Sequence, residues 1–306
     1  ALDGDRAVGT LATMRLEEHR AAGVLTGARC IWRNGKLALE ESYDDEGRRH
    51  GTWTAWRGTG QLREQGQYEH GVKTGTWTRW GADDAIESEG AYAAGKRTGI
   101  WTSYKGGVKI VRGRWRDGVG DGVFTEWSET GRELGSYRLT RGTGVARSWH
   151  AVGRVESETT LRDGKRDGPY REYALRGALV LEASYADGAL EGPWRSSWPD
   201  GTPRIAASYR EGKLDGAYQR WAADGTLELE ATYSSGLPDG PWVEHWSDGT
   251  VESKGQWRGG FREGAWEQRW PDGSLAVETS YRDGVLDGAY REHHPGGAVA
   301  VTGQHR

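Results

Sequence analysis

A repeat of 24 residues is the feature that most limits how this chain can fold. The segment Gly168-Pro169-Tyr170 returns 24 residues later as Gly192-Pro193-Trp194, and again as Gly240-Pro241-Trp242. A fixed period of this size is typical of repeat proteins, in which each unit packs only against its neighbours. The first glycine of each repeat is numbered position 0 below. These glycines are Gly27, Gly51, Gly75, Gly99, Gly122, Gly144, Gly168, Gly192, Gly216, Gly240, Gly264 and Gly288.

The repeat predicts a single continuous domain over residues 27–306 that ends in a half-repeat. A length of 306 residues would otherwise allow two globular domains. Residues 1–26 are predicted to be a degenerate first repeat, because Met14–Glu17 aligns with Leu179–Glu182. A short capping helix over residues 13–22 is the alternative, since terminal repeats are often atypical.

Alternating residues predict two strands in each repeat. Leu179, Leu181, Ala183 and Tyr185 alternate with polar residues, which is the period of a strand with one buried face. Turn residues such as Pro199-Asp200-Gly201 join this strand to the one before it. The predicted fold class is therefore all-β: an elongated, twisted antiparallel β-sheet solenoid of stacked β-hairpins, with about 24 residues per repeat.

Composition limits the classes of partner. The 17 Trp and 13 Tyr at fixed positions predict an aromatic core in place of the usual aliphatic one. With 41 Lys+Arg and 45 Asp+Glu, the net charge of −4 argues against nucleic-acid binding and against purely electrostatic docking on lipid. No apolar run is long enough to span a bilayer. The single Cys30 and the start at Ala1 are compatible with either the cytoplasm or export.

The combined pattern resembles the MORN-repeat variant family. It reads Gly-x-Trp/Tyr-x-x-aromatic, then Asp-Gly-x-Leu-x-x-Glu-x-x-Tyr, and it is clearest over Gly168–Gly188, Gly192–Gly212, Gly216–Gly236 and Gly264–Gly284. The resemblance implies a ribbon of antiparallel hairpins without enzyme activity in the repeats. It also implies work as an interaction or scaffold module, in some members at membranes and in some described as antitoxin-like.

The second aromatic of the first strand changes position along the chain. It is at position 5 in most repeats but at position 6 in three of them, at Trp198, Trp246 and Trp270. A shift of one residue moves a side chain to the opposite face of a strand. These tryptophans, with the position-2 tryptophans of the same repeats, are the predicted binding surface. The alternative is that both positions are core. The position-2 residues are Trp194, Trp242 and Trp266.

No catalytic, cofactor or metal site is predicted. Pairs such as Glu228 and Glu230 recur on the polar face of the strands, where cross-strand ion pairing explains them better than acid–base catalysis. His245 and His293 hold the same position two repeats apart, about 19 Å across a sheet, too far for one ion. Each Asp-Gly turn offers a single Asp, which is explained by its stabilising the turn; a calcium loop would need several converging oxygen ligands.

Three functions remain open. The first is a non-enzymatic scaffold that binds another protein, including an antitoxin-like role. The second is a structural protein that assembles with itself end to end, since an uncapped strand edge is a template for pairing. The third is a module that binds wall glycans or a membrane surface through exposed aromatics. The irregular repeats over residues 99–164 are either a functional hinge or contact surface, or decayed repeats.

Overall fold

The computed structural model describes residues 5–11 and 14–305. All regular structure in these residues is β-strand, and the described part of the chain contains no helix that could cross a membrane. The strand over Met14–Ala21 agrees with a degenerate first repeat, so the alternative of a capping helix is wrong. The fold class is confirmed: the strands form large antiparallel sheets of consecutive hairpins. Two compact units divide the chain, residues 1–154 and 155–306.

The first unit is built from thirteen strands in chain order. Strands β1 to β12 form one sheet in which every strand pairs with its neighbours in the sequence. The strands are β1 (Asp5–Leu11), β2 (Met14–Ala21), β3 (Val24–Arg33), β4 (Lys36–Tyr43), β5 (Gly51–Trp56), β6 (Leu62–Glu69), β7 (Val72–Trp80), β8 (Ile86–Ala93), β9 (Lys96–Lys105), β10 (Val108–Arg116), β11 (Val119–Trp127), β12 (Glu133–Leu139) and β13 (Gly144–Trp149).

The second unit repeats the same plan. Its strands pair in chain order, except that the two-residue strands β17 and β26 extend the turns at β16 and β25. The strands are β14 (Val155–Arg162), β15 (Lys165–Tyr173), β16 (Leu179–Ala186), β17 (Ala189–Leu190), β18 (Gly192–Ser197), β19 (Pro203–Arg210), β20 (Lys213–Trp221), β21 (Leu227–Ser234), β22 (Leu237–His245), β23 (Val251–Arg258), β24 (Phe261–Arg269), β25 (Leu275–Arg282), β26 (Val285–Leu286), β27 (Gly288–His293) and β28 (Val299–His305).

The pairing register fixes which residues share a face. In the hairpin of β24 and β25, Trp266 lies opposite Thr279 and Gln268 lies opposite Val277. Because side chains alternate along a strand, these four residues face the same side of the sheet. The register shifts by one residue just before the turn, between Gln268 and Arg269, and the equivalent shift occurs in the other hairpins. A bulge of this kind redirects the side chains that follow it.

One face of each unit carries a row of aromatic rings. In the first unit, Trp77 stacks on Trp53 with ring centroids 5.5 Å apart and meets the edges of Tyr68 and Tyr92. In the second unit, neighbouring centroids are 5.6–6.3 Å apart along a continuous row. Offset and edge-to-face contacts at these distances stabilise aromatic cores beyond the area they bury. The row of the second unit is Tyr218, Tyr233, Trp242, Trp257, Trp266 and Tyr281.

Where position 15 is glycine, its lack of a side chain leaves room for the aromatic ring of the next repeat. A Cβ atom at Gly90 would lie 2.2 Å from Cδ2 of Trp101, and one at Gly66 would lie 2.1 Å from Cδ2 of Trp77. With glycine beneath it, the Trp101 ring approaches the strand closely enough for its Nε1 to donate to the carbonyl of Ala91 at 2.9 Å. Gly66 and Gly90 therefore allow the tryptophan rings to lie directly against the strand, whereas the turn glycines do not contact these rings.

Candidate interaction surfaces

Two of the three position-2 tryptophans, Trp242 and Trp266, belong to the aromatic row. Trp266 is only 3% exposed, and its Nε1 donates to the carbonyl of Gln256 at 3.2 Å. Trp194 and Trp242 are half-buried, and the Trp242 ring lies 5.6 Å from that of Trp257. The structure therefore places these three residues in or beside the core, where they support the sheet.

The position-6 tryptophans lie at the turns between the two strands of a hairpin. The Trp198 amide donates to the carbonyl of Thr202 at 2.8 Å, and Trp270 begins the equivalent turn. Trp270 is 37% exposed, and its Nε1 donates to the His293 carbonyl at 3.2 Å, which fixes the ring. The Trp198 ring is covered by the Arg204 guanidinium, 4.7 Å from its centroid.

Trp246 and Trp270 line one hollow, here called the tryptophan cleft. Its volume is about 760 Å³, and it opens along the turn edge of the last hairpins of the second unit. Gln268 and Val277 contribute to its lining, so the cleft lies on the same face as the aromatic row. The full lining is Glu244, Trp246, Glu252, Ser253, Gln268, Arg269, Trp270, Pro271, Ala276, Val277, Glu292, His293, His294, Pro295 and Ala300.

The tryptophan cleft is rich in carboxylates. Glu244, Glu252 and Glu292 all line it, and none of the three forms an ion pair within the described residues. Glu244 accepts a hydrogen bond from Ser253 Oγ at 2.6 Å, and Glu292 accepts one from the hydroxyl of Tyr290, which raises the pKa of that phenol. These hydrogen bonds orient the carboxylates without neutralising them.

The cation at the edge of the cleft is already engaged elsewhere. Arg269 donates to Glu267 Oε2 at 2.9 Å and to the Gly273 carbonyl at 3.0 Å. Glu267 does not line the cleft. Two indole surfaces and three unneutralised carboxylates are therefore left facing one hollow.

The position-5 side chains of Tyr104, Tyr173 and His293 point away from the aromatic row, whereas Trp149 at position 5 stacks on Tyr137 within it. The Tyr104 hydroxyl donates to Glu89 at 2.7 Å, the Tyr173 hydroxyl to Glu158 at 3.2 Å, and His293 Nε2 lies 3.0 Å from Glu278 Oε2. The glutamates belong to the polar face of the second strand of the preceding hairpin. Positions 5 and 6 thus have different surroundings, and the bulge before the turn separates them.

A second hollow, in the first unit, was not anticipated from the sequence. It has a volume of about 710 Å³ and is lined by four arginines: Arg112, Arg114, Arg116 and Arg138. We call these residues, together with Ile100 and Val123, the arginine groove. The spacing Arg112-x-Arg114-x-Arg116 is visible in the sequence, but the fourth arginine joins it only through the pairing of β11 with β12. The groove lies within the irregular repeats of residues 99–164.

A third cluster is formed by Asp44, His50 and His70. Their ligand atoms lie within 4.8 Å of one another, an arrangement that could hold a metal ion. The Arg48 side chain now joins two of them, with Nε donating to Asp44 Oδ2 and Nη2 lying 3.0 Å from His70 Nδ1. A metal would have to displace this guanidinium.

Hydrogen bonds also hold Asp44 in its ionised form. Desolvation would raise the pKa of Asp44, but hydrogen bonds from His70, from Arg48 and from the Glu46 amide lower that pKa well below its ordinary value. The sequence predicted no metal site, and it placed His245 and His293 too far apart to share an ion. It missed this cluster because the register of neighbouring hairpins, and not spacing along the chain, brings the three residues together.

Comparison with known proteins supports a MORN-repeat family for this chain. The family model described as MORN repeat variant matches residues 49–70, which form the hairpin of β5 and β6. Repeats of this family are generally associated with protein or membrane interaction. No curated protein matches the chain.

Two solved structures share weak similarity with the chain. A chain in the crystal structure of TcdB2–TccC3 is 12% identical over 95% of this chain and 18% of that chain, with a TM-score of 0.16. A chain in the TcdB2–TccC3–Cdc42 structure is 10% identical over 94% of this chain and 17% of that one, also with a TM-score of 0.16. This chain thus spans less than a fifth of the length of either, and TM-scores this low support no inference about function.

Proposed function

We propose that this protein is a non-enzymatic scaffold that binds another protein, and that the tryptophan cleft receives a basic side chain of that partner. The observation that carries the proposal is that Trp246 and Trp270 share one hollow with three carboxylates, none of which forms an ion pair with any residue that the structure describes. MORN repeats are associated with interactions, which agrees with a binding role.

The cleft has the two features that recognise a lysine or arginine side chain. A cation over an indole face is attracted by about 0.5–2 kcal/mol, depending on how well it is desolvated. Carboxylates such as Glu252 then supply charge-assisted hydrogen bonds, which are stronger than neutral ones. Because the hydrogen bond from Trp270 to His293 fixes the ring, little side-chain entropy is lost on binding.

Tryptophan fluorescence with short peptides tests this proposal. The probes are an acetylated Gly-Gly-Arg-Gly-Gly amide and the same peptide with citrulline, which keeps the shape of arginine but has no charge. We expect the arginine peptide to bind at least about tenfold more tightly, since an ion contact of this kind contributes about 1.4 kcal/mol or more.

Two variants locate the binding. Trp270→Ala and Glu252→Gln should each weaken arginine-peptide binding, whereas Glu211→Gln should not, because Glu211 is an exposed carboxylate outside the cleft. Equal binding of the arginine and citrulline peptides, or equal losses in all three variants, would refute the cleft as the docking site.

An antitoxin-like role is a narrower form of the same proposal, supported only by the resemblance of the repeats. It requires one protein partner whose toxicity this chain relieves. Co-expression with the captured partner should then restore growth for the wild-type chain but not for the variant Trp270→Ala/Glu252→Gln. A captured partner that does not slow growth when expressed alone would exclude this role and leave the scaffold proposal standing.

A further inference from the structure

We propose that the arginine groove of the first unit binds an extended acidic segment of a protein, with carboxylates placed along the row Arg112, Arg114 and Arg116. This site is separate in chemistry from the tryptophan cleft, and its failure would leave the proposal for the cleft unchanged.

The register brings the groove residues to one face. Arg112, Arg114 and Arg116 are alternate residues of β10, so their side chains leave the same face of the sheet. Arg112 lies opposite Thr125 and Arg114 opposite Ile100. On the next pair of strands, Val123 lies opposite Arg138 and completes the lining.

The arginines leave the face opposite to the aromatic row. Gly113, between Arg112 and Arg114, lies under the ring of Phe124, where a Cβ atom would approach Cδ1 to 2.1 Å. Gly122 makes room beside Arg114, since a Cβ atom there would lie 2.9 Å from the Arg114 Cβ atom. Gly113 in β10 and Gly122 in the neighbouring β11 therefore leave room for the core ring on one face and for the arginine row on the other.

Arginines outnumber carboxylates four to two in the groove lining, where Asp121 and Glu133 are the acidic residues. Arg116 pairs with Asp121 at 3.0 Å, but Arg112, Arg114 and Arg138 form no ion pair within residues 5–11 and 14–305. Three like charges held in one hollow repel one another, and an anionic ligand would relieve that repulsion. A chain with a net charge of −4 thus concentrates unpaired cations at one place.

The equivalent place in several other repeats carries the opposite charge. Arg112 occupies the strand position that is glutamate in five other hairpins, where each glutamate is held by a neighbouring tyrosine, arginine, glutamine or histidine. Lys254 is a second cation at this position, but it pairs with Glu267 at 3.1 Å, whereas Arg112 forms no ion pair with any residue that the structure describes. The corresponding glutamates are Glu89, Glu158, Glu182, Glu230 and Glu278.

Spacing and surface favour an extended peptide. Alternate residues of a strand are about 6.8 Å apart, so a peptide with an acidic residue at every second position matches the arginine row. Ile100 and Val123, each 44% exposed, flank the row and can contact the aliphatic stems of those acidic residues. A single small anion would need arginines that converge on one point, and a row along one strand does not provide that.

Single-stranded nucleic acid fits less well, although it is also an extended polyanion. Its nonspecific binding relies on aromatic rings that stack on bases. Trp127 is the aromatic residue in the groove lining, and its ring is already covered by Lys109 Nζ, 3.9 Å from the ring centroid. The proposal therefore commits to a protein segment, and nucleic acid becomes an outcome of the test.

Fluorescence anisotropy with a labelled peptide tests the proposal. The probe is a peptide of five alternating Glu-Thr pairs, and its neutral control has glutamine in place of glutamate. The groove variant is Arg112→Gln/Arg114→Gln. The matched control is Arg63→Gln/Arg195→Gln, which removes the same charge from two exposed arginines outside the groove.

We expect the wild-type chain and the matched control to bind the acidic peptide alike, and the groove variant to bind about tenfold or more weakly. Circular dichroism should be unchanged in both variants, because all four arginines are exposed. Equal binding by the two double variants, or no saturable binding by the wild-type chain, would overturn the proposal. Tighter binding of a single-stranded oligonucleotide or of phosphatidylserine vesicles through the same arginines would overturn the assignment to a protein segment.

Discussion

The arginine groove and the tryptophan cleft are hollows of similar size, about 710 and 760 Å³, built on the same type of hairpin. The groove lies on the face of its unit that is free of the aromatic row, and the cleft lies on the same face as that row in its own unit. Among the described residues, the groove holds three guanidinium groups without an ion-pair partner, and the cleft holds three carboxylates without one beside two indole rings.

The comparison shows how one repeat can carry unlike sites. Both hollows keep the elements that hold the hairpins together: a glycine beneath the next aromatic ring (Gly113 under Phe124, Gly255 under Trp266), the aromatic at position 2 and the turn glycines. They differ at positions that do not enter the core, where Arg112 stands in place of glutamate and Trp270 in place of a smaller turn residue. The charge and the aromatic content of the surface can therefore change from repeat to repeat while the core packing stays the same.

The largest expected effect separates the core from the cleft within one hairpin. Trp266→Ala should reduce the free energy of unfolding by about 3–5 kcal/mol, because it empties a buried site in the aromatic row. Trp270→Ala, four residues later, should cost about 1 kcal/mol, chiefly the hydrogen bond to His293. Urea unfolding followed by circular dichroism measures both. Similar costs for the two variants would mean that Trp270 is also a core residue.

A somewhat smaller effect is expected at position 15. Gly90→Ala should destabilise the protein by about 1–3 kcal/mol, because the added methyl group would collide with the Trp101 ring. Gly58→Ala is the control, since a Cβ atom at Gly58 meets no atom within 4 Å. The equivalent residue of a second-unit repeat is Ala231, and Ala231→Gly should cost only about 1 kcal/mol. If Gly90→Ala has the same free energy of unfolding as the control, the packing of the Trp101 ring does not require glycine at residue 90.

Salt should distinguish the two proposed sites. The screening length falls from about 10 Å at about 0.1 M to about 3 Å at about 1 M salt. We expect binding of the acidic peptide at the arginine groove to weaken by about 30-fold over this range. Binding of the arginine peptide at the tryptophan cleft should weaken by only about threefold, since part of it is contact with indole rings. Equal salt dependence would argue that the indoles contribute little.

The smallest expected effect concerns acid and the turns of the second unit. Hydrogen bonds from the residue two places later lower the pKa values of these turn aspartates. Since the pKa of an unfolded aspartate is about 3.9, their contribution to stability is fully present above that pH and is lost as the pH falls towards the lower folded values. The residues are Asp200, Asp224, Asp248 and Asp272.

Melting curves at several pH values measure this contribution. The stability difference between the wild-type chain and Asp224→Asn should shrink as the pH falls from 6 to 3. Asp283→Asn serves as the control, because no hydrogen bond to the Asp283 carboxylate is present in the described structure. A difference that does not depend on pH would mean that the charge of Asp224 does not stabilise the turn.

The sequence by itself determined the strands, the turns and the aromatic row. Period-two alternation and Pro-Asp-Gly turns are local signals, and antiparallel hairpins in chain order need no long-range information. The sequence also showed that the second aromatic of the first strand lies at position 5 in most repeats and at position 6 in three of them. It could not show that Trp266 is buried while Trp270 borders a cleft, because the bulge before the turn decides where each ring points.

Only the tertiary structure decided where the sites lie. Glu244 and Glu292 line the same cleft, and Arg112 and Arg138 line the same groove. In each hollow the residues come from different strands, whose register is set by the packing of whole hairpins. The same holds for His50 and His70, which come together around an arginine from the same turn region. The physical reason is that strand pairing turns separations of about one or two repeats into contacts, and the charges that meet there are not visible in any one repeat.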